Sequence, residues 1–156
     1  MMGHEWRESA VKRTHEGSTG DALSADPVRV LVVDDEPAIC RALTIALTRA
    51  GYDVTSAHSG DAALLALSAQ HVDVMVIDLR IPDTRGDVVF ELAAATYPHL
   101  RHRTLFMTGD ISERAYKLIQ SCKCQSLRKP FELKELIDAV HSLAPPRSQS
   151  ARGQTA

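Results

Sequence analysis

The chain is poor in aromatic residues: Phe, Tyr and Trp make up 4% of its 156 positions. Stacking platforms for single-stranded nucleic acid need more than that. It also lacks a basic excess. Lys and Arg number 18 against 20 Asp and Glu, a formal net charge of -2. There is no electrostatic footprint for a nucleic-acid backbone. No apolar run nears the roughly 18 residues of a membrane-spanning helix. The first residues lack the unbroken apolar stretch of a secretion signal. Cysteine is sparse and odd in number: Cys40, Cys122 and Cys124. No pair has metal-site spacing with partner histidines, so reduced thiols in a cytoplasmic protein are expected. These absences leave one domain of ordinary size, with 44% hydrophobic residues to build a core.

Order is expected over residues 28–144. Residues 1–27 mix charges with Gly17, Ser18, Gly20 and Ser24 and show no sustained period, which predicts a disordered tail. A short helix over 5–16 and a recognition peptide for a partner are the alternatives there. Residues 145–156 open with Pro145-Pro146 and continue rich in Ser, Gln, Arg and Gly, which predicts a flexible tail.

One stretch organises the ordered part: Val74-Met75-Val76-Ile77-Asp78-Leu79-Arg80-Ile81-Pro82-Asp83-Thr84-Arg85-Gly86. A short apolar run leading into a carboxylate reads as a strand buried on both faces. Pro82 and Gly86 punctuate the loop beyond it. Similar runs occupy 28–33 and 104–107, with shorter strands at 53–57 and 125–128; strand 3 is placed at 72–77. Helical spacing follows each strand. Pro37 precedes Ile39, Ala42, Leu43, Ala46 and Leu47, ended by Gly51. Gly60-Asp61 open a helix carrying Leu64, Leu65 and Leu67. Val88, Val89, Leu92 and Ala93 follow Gly86. Ser112 caps a helix with Ala115, Leu118 and Ile119 inward. Leu133, Leu136, Ile137 and Val140 line the last helix, 132–143. Five strands alternating with five helices predict an α/β fold. It is a doubly wound parallel sheet with right-handed crossovers and helices on both faces.

Polar residues follow four of the five strands. Asp34 and Asp35 follow the first, Asp78 the third, Thr108 the fourth and Lys129 the fifth. Strand 2 leads instead into Ala57, His58 and Ser59. That omission fits the flavodoxin-like order 2-1-3-4-5, where strand 2 lies far from the switch point between strands 1 and 3. Three carboxylates gathered there repel, and a hard divalent cation relieves them. Oxygen-only ligands favour Mg²⁺. Thr108 and Lys129 suit the oxygens of a phosphoryl group on Asp78, a candidate nucleophile. Taken singly, these residues have plainer readings: caps for Asp34, Asp35 and Asp78, a turn for Thr108 and a snorkelling Lys129.

Together the residues resemble a response-regulator receiver domain of the single-domain type. The matching pieces are Val32-Val33-Asp34-Asp35-Glu36-Pro37, Asp78 with Pro82 and Gly86, Thr108-Gly109, and Lys129-Pro130-Phe131. The resemblance covers about residues 28–143. It implies a phospho-accepting switch in which Asp78 takes a phosphoryl group from a histidine kinase or a phosphorelay donor. Asp35, Asp78 and the backbone carbonyl of Arg80 would bind Mg²⁺ directly, and Asp34 partly through water. Thr108 would bond a phosphoryl oxygen and move toward it. Lys129 would contact the acyl phosphate, with a cis Lys129-Pro130 bond. The chain would not be an enzyme beyond assisting its own phosphorylation and dephosphorylation. Output would pass through protein contacts or onward phosphotransfer, on the face of helix 4, strand 5 and helix 5. That face is also where a homodimer is expected. No helix-turn-helix follows residue 143, so no direct nucleic-acid binding is expected.

Three departures stand out. The family often has an aromatic switch residue three positions before the lysine; here it is Ser126. The segment from Thr108 to Lys129 is about one residue shorter than in common members, and Cys122-Lys123-Cys124 replaces its small-residue turn. Arg80 and Asp110 each lie two positions beyond a site residue, and they are expected to pair across the pocket mouth and slow water attack; two solvated charges are the alternative. Two other functions compete. A haloacid-dehalogenase-type phosphatase also uses Asp, Thr, Lys and Mg²⁺, but its Asp-x-Asp is adjacent Asp34-Asp35 here, and no cap insertion is present. A phosphorylation-independent scaffold of receiver form is the other.

Overall fold

Two runs of mostly β-branched residues lie side by side at the sheet centre. In the computed structural model, which describes residues 26–110 and 112–147, β1 (Arg29–Val33) pairs in parallel with β3 (Val74–Asp78), Val30 opposite Val74 and Val33 opposite Ile77. β2 (Asp53–Ala57) flanks β1 on the outside. β4 (Thr104–Thr108) and β5 (Gln125–Arg128) extend the sheet beyond β3. The order is β2-β1-β3-β4-β5, all parallel, as the placement of polar residues predicts. Every residue of β3 and β4 is buried, because helices cover both faces.

The helices are α1 (Pro37–Arg49), α2 (Gly60–Ala69), α3 (Gly86–Thr96), α4 (Glu113–Cys122) and α5 (Leu133–Leu143). Alternation along the strands sends side chains to opposite faces. Leu31, Val33, Met75, Ile77 and Phe106 pack with Ala63 and Leu67 of α2, Val89, Phe90 and Ala93 of α3, and Ala115 of α4. Val30, Val32, Val74, Val76, Leu105 and Met107 pack with Cys40, Leu43 and Leu47 of α1 and Leu136 and Val140 of α5. Ser59 and Ser112 cap α2 and α4 by accepting from Ala62 N and Ala115 N. Pro27–Pro146 form one compact unit. Most of the tails expected at 1–27 and 145–156, with the short helix at 5–16, lie outside the described residues.

Several boundaries differ from the pattern. β3 starts at Val74, not at 72, because the side chain of Asp73 turns aside to accept from Arg29 N at 2.9 Å. Asp78 and Thr108 are the last residues of β3 and β4, so both candidate site residues sit within the ladder. The last helix starts at Leu133, with Glu132 and Glu135 forming a capping box ahead of it. Pro98–His102 form a 3-10 turn that no periodicity announced. Leu65, Val88, Leu92 and Leu133 face outward; the apolar runs were denser than the buried faces needed.

Gly86 opens α3 against the end of β3. A Cβ there would lie 2.2 Å from the Asp78 carbonyl oxygen and 2.9 Å from Leu79 Cα. Both obstacles are backbone, so neither can rotate away. Gly86→Ala should therefore destabilise the fold by about 3 kcal/mol, the upper part of the usual overpacking range. Urea denaturation checks this; an unchanged midpoint would show that the loop yields.

Candidate functional site

The site forms where β1, β3, β4 and β5 end. Asp34 leaves β1 fully buried, its N–H donating to Ala57 O at 3.1 Å. Its Oδ1 accepts from Glu36 N at 2.9 Å and its Oδ2 from Lys129 Nζ at 2.7 Å. Asp78 Oδ1 accepts from Arg80 N at 2.8 Å, and its Oδ2 accepts from the same Lys129 ammonium at 2.6 Å. Lys129 is positioned by its own N–H, which donates to Thr108 O at 2.8 Å, and by a cis bond to Pro130. Asp35 is exposed at the rim. One carboxylate oxygen from each of Asp34, Asp35 and Asp78 lies within 4.8 Å of the others.

Charge and burial oppose each other here. Burial pushes the Asp78 carboxyl above the ordinary Asp range, and the bonds from Lys129 and Arg80 N only partly offset it. Burial also works against the Lys129 ammonium, but Asp34 and Asp78 outweigh it and raise its pKa. Three oxygen-only donors gathered this closely, two of them withdrawn from water, fit a hard divalent ion such as Mg²⁺.

Thr108 Oγ1 accepts from Asp110 N at 2.9 Å. It makes no hydrogen bond to Asp78 or Lys129, so the hydroxyl belongs to the following loop. The Asp110 carboxylate accepts from Ser112 N at 2.8 Å and pairs with the Arg80 guanidinium at 3.2 Å. Those Ser112 bonds, then Arg80, hold it below the usual carboxylate range. The expected Arg80–Asp110 pair is thus formed, although the Arg80 side chain is 76% exposed. Ser126 lies exposed on β5, opposite Phe106.

Sequence reasoning missed Asp83. From the β3–α3 loop its carboxylate accepts from Gly60 N at 2.9 Å and Asp61 N at 3.1 Å, capping α2. These backbone bonds lower its pKa. An Asp directly after Pro82 carries no local sign of this role, because its partner sits more than twenty residues earlier in the chain.

The response regulator receiver domain sequence model matches residues 30–141. The chain belongs to the receiver domain family. This receiver is 34% identical over 119 residues to the transcriptional regulatory protein TrcR of Mycobacterium tuberculosis, covering 75% of this chain and 45% of that one. It is 32% identical over 117 residues to the probable transcriptional regulatory protein TcrX of the same organism, covering 75% and 50%. The receiver therefore spans about half the length of these curated relatives. Among solved structures, the Vibrio cholerae chemotaxis protein CheY4 superposes with a TM-score of 0.69 at 23% identity, covering 76% of this chain and 99% of that one. The response regulator TrrA of Thermotoga maritima, solved in complex with Mg²⁺-BeF, gives 0.65 at 26% identity, covering 74% and 98%. The family binds Mg²⁺ at an acidic pocket, and this chain carries an acidic cluster of Asp34, Asp35 and Asp78.

The raised Asp78 carboxyl has a measurable consequence. A carboxyl whose pKa is higher folded than unfolded opposes folding once it is ionised. The penalty is present above the folded pKa and gone below the unfolded one, near 3.8. Asp78→Asn removes it. In Mg²⁺-free buffer the variant should melt a few degrees above wild type at pH 7, and the gap should close as the pH falls toward the ordinary Asp range. Thermal melts across that range check it; a variant less stable at pH 7 would contradict the sign.

Proposed function

We propose that this receiver accepts a phosphoryl group on Asp78 from the phosphohistidine of a histidine kinase or phosphotransfer protein, in the cytoplasm. The observation that carries this is the bridge of Lys129 Nζ between Asp34 and Asp78, at 2.7 and 2.6 Å. It places an ionised cation on the carboxylate that would react. In the transfer an Asp78 oxygen forms the new O–P bond as the donor's N–P bond breaks, and the histidine leaves neutral or takes up a proton. Asp34, Asp35, Asp78 and the carbonyl of Arg80 would hold Mg²⁺, which when bound offsets the negative charge of the phosphoryl oxygens. Lys129 would follow one of those oxygens, and Thr108 would turn its hydroxyl to another.

The protein would act as a signalling domain rather than an enzyme with a substrate of its own. Its output would pass by contacts of α4, β5 and α5 with a protein target or a second copy, or by relaying the phosphoryl group. None of the described helices is long and apolar enough to cross a membrane. At the mouth, the Arg80–Asp110 pair would shield the acyl phosphate from water.

Labelling from acetyl phosphate or a phosphorylated kinase tests the assignment. Asp78→Asn should reduce incorporation to background, and chelation of Mg²⁺ should do the same to the wild type. Label retained in full by Asp78→Asn would overturn the assignment. Arg80→Ala should shorten the phosphoryl half-life by about two- to fivefold, the scale of one exposed ion pair. An unchanged half-life removes the shielding role.

A further inference from the structure

The receiver reading leaves two thiols unused. Cys122 is the last residue of α4, and Cys124 directly precedes β5. Between them Lys123 is the one non-glycine residue with positive φ among the described residues, at 56°. A left-handed residue turns the chain out of the helix, which puts both cysteines at one corner between α4 and β5. Cys124 Sγ donates to the Cys122 carbonyl oxygen at 3.7 Å, and the two thiols are near enough for Cys122 to raise the pKa of Cys124. Each has backbone company: Cys122 Sγ donates to Ile119 O at 3.3 Å, and Cys124 Sγ to Arg101 O at 3.8 Å. Both are partly exposed, whereas Cys40 is buried. They sit at the amino end of β5, the opposite end of the sheet from Asp78.

Chemistry narrows what such a pair can take. Burial, then the neighbouring thiol, pushes Cys124 up to about 12. Nucleophilic and oxidative chemistry proceeds through the thiolate and is slow for such a group. A thiophilic metal ion instead displaces the protons directly. Structural zinc requires four ligands. Among the described residues, the one group of three or more acid, His or Cys side chains able to share an ion is Asp34, Asp35 and Asp78. Only a two-coordinate ion suits the thiols. Thiolates select soft ions, Cu(I) foremost among the physiological ones. The resulting bis-thiolate complex carries a net negative charge. The Arg101 guanidinium already favours ionisation of Cys124, and Lys123 lies between the ligands.

We propose that Cys122 and Cys124 form a two-thiolate site for a soft monovalent metal ion, Cu(I) by chemical class. Binding replaces two S–H bonds by two S–Cu bonds and releases two protons, with no change in oxidation state. Occupancy ties the end of α4 to the start of β5.

The test uses the full chain, fully reduced, under anaerobic conditions with excess Mg²⁺ to fill the acidic pocket. Cu(I) is offered from a coloured chelator, and transfer is followed by loss of colour. The wild type should take one equivalent. Cys122→Ser and Cys124→Ser should each weaken binding by at least about tenfold, while Cys40→Ser leaves it unchanged. Circular dichroism of each variant confirms folding, so lost binding is not lost structure. No transfer to the wild type, undiminished binding by both folded serine variants, or a Cys122–Cys124 disulfide seen by mass spectrometry in place of the copper adduct would each overturn the site.

Discussion

The contact on which the rest depends is one ammonium shared by two carboxylates. Lys129 reaches Asp34 across 95 positions of chain and Asp78 across 51. Removing three charged groups from water costs several kcal/mol for each ion, which their attraction and hydrogen bonds must offset. Each carboxylate oxygen has a partner: Glu36 N and Arg80 N take the oxygens that Lys129 leaves free, and no buried side-chain nitrogen or oxygen among the described residues lacks one. The parallel sheet makes this affordable in geometry. Its central strands are apolar on both faces and stop together, so the first polar residues of four strands meet at one edge.

The β3–α3 loop at that edge is tied down at two points. Gly86 lies so close to the Asp78 carbonyl that no side chain fits. Three residues earlier, Asp83 crosses to α2 and caps it. The β3–α3 loop is therefore anchored at its middle and at its end, and Asp78 cannot drift from Lys129 by loop motion alone. The reactivity proposed for Asp78 would then depend on charge. A carboxyl whose pKa is raised by burial, with a cation at hydrogen-bond distance, is a group whose charge the protein tolerates rather than prefers.

Much of this was legible in the chain. The β-branched runs at 28–33 and 74–77 fixed the central strands, and the polar residues behind four of five strands indicated both the strand order and the site. The matching offsets beyond Asp78 and Thr108 allowed either an Arg80–Asp110 pair or two solvated charges, and the pair is what forms. What escaped has physical reasons. Helical runs as dense as Leu64-Leu65 do not say which side chain is buried, and Leu65 proved exposed. The 3-10 turn at Pro98–His102 has no period of its own. Asp83 capping α2 and Lys129 bridging two aspartates are long-range pairings that a local pattern does not encode. The direction of the Thr108 hydroxyl was also hidden, since its partner is a backbone N–H in the next loop.

That hydroxyl shows how the site can speak to the surface. Thr108 Oγ1 is committed to Asp110 N, the Asp110 carboxylate to Ser112 N, and Ser112 Oγ to Ala115 N at the start of α4. If Thr108 turned to a phosphoryl oxygen, Asp110 N would lose its acceptor, and a chain of three short bonds ending in a helix cap would have to re-form. α4 offers little resistance. Ala115 is its one buried residue, and β5 beside it has none. Structural change follows the least stable neighbour, and here that is the helix whose cap lies at the end of this chain of bonds. Without an aromatic side chain at Ser126 to track Thr108, the backbone bonds of Asp110 and Ser112 are the route these contacts provide.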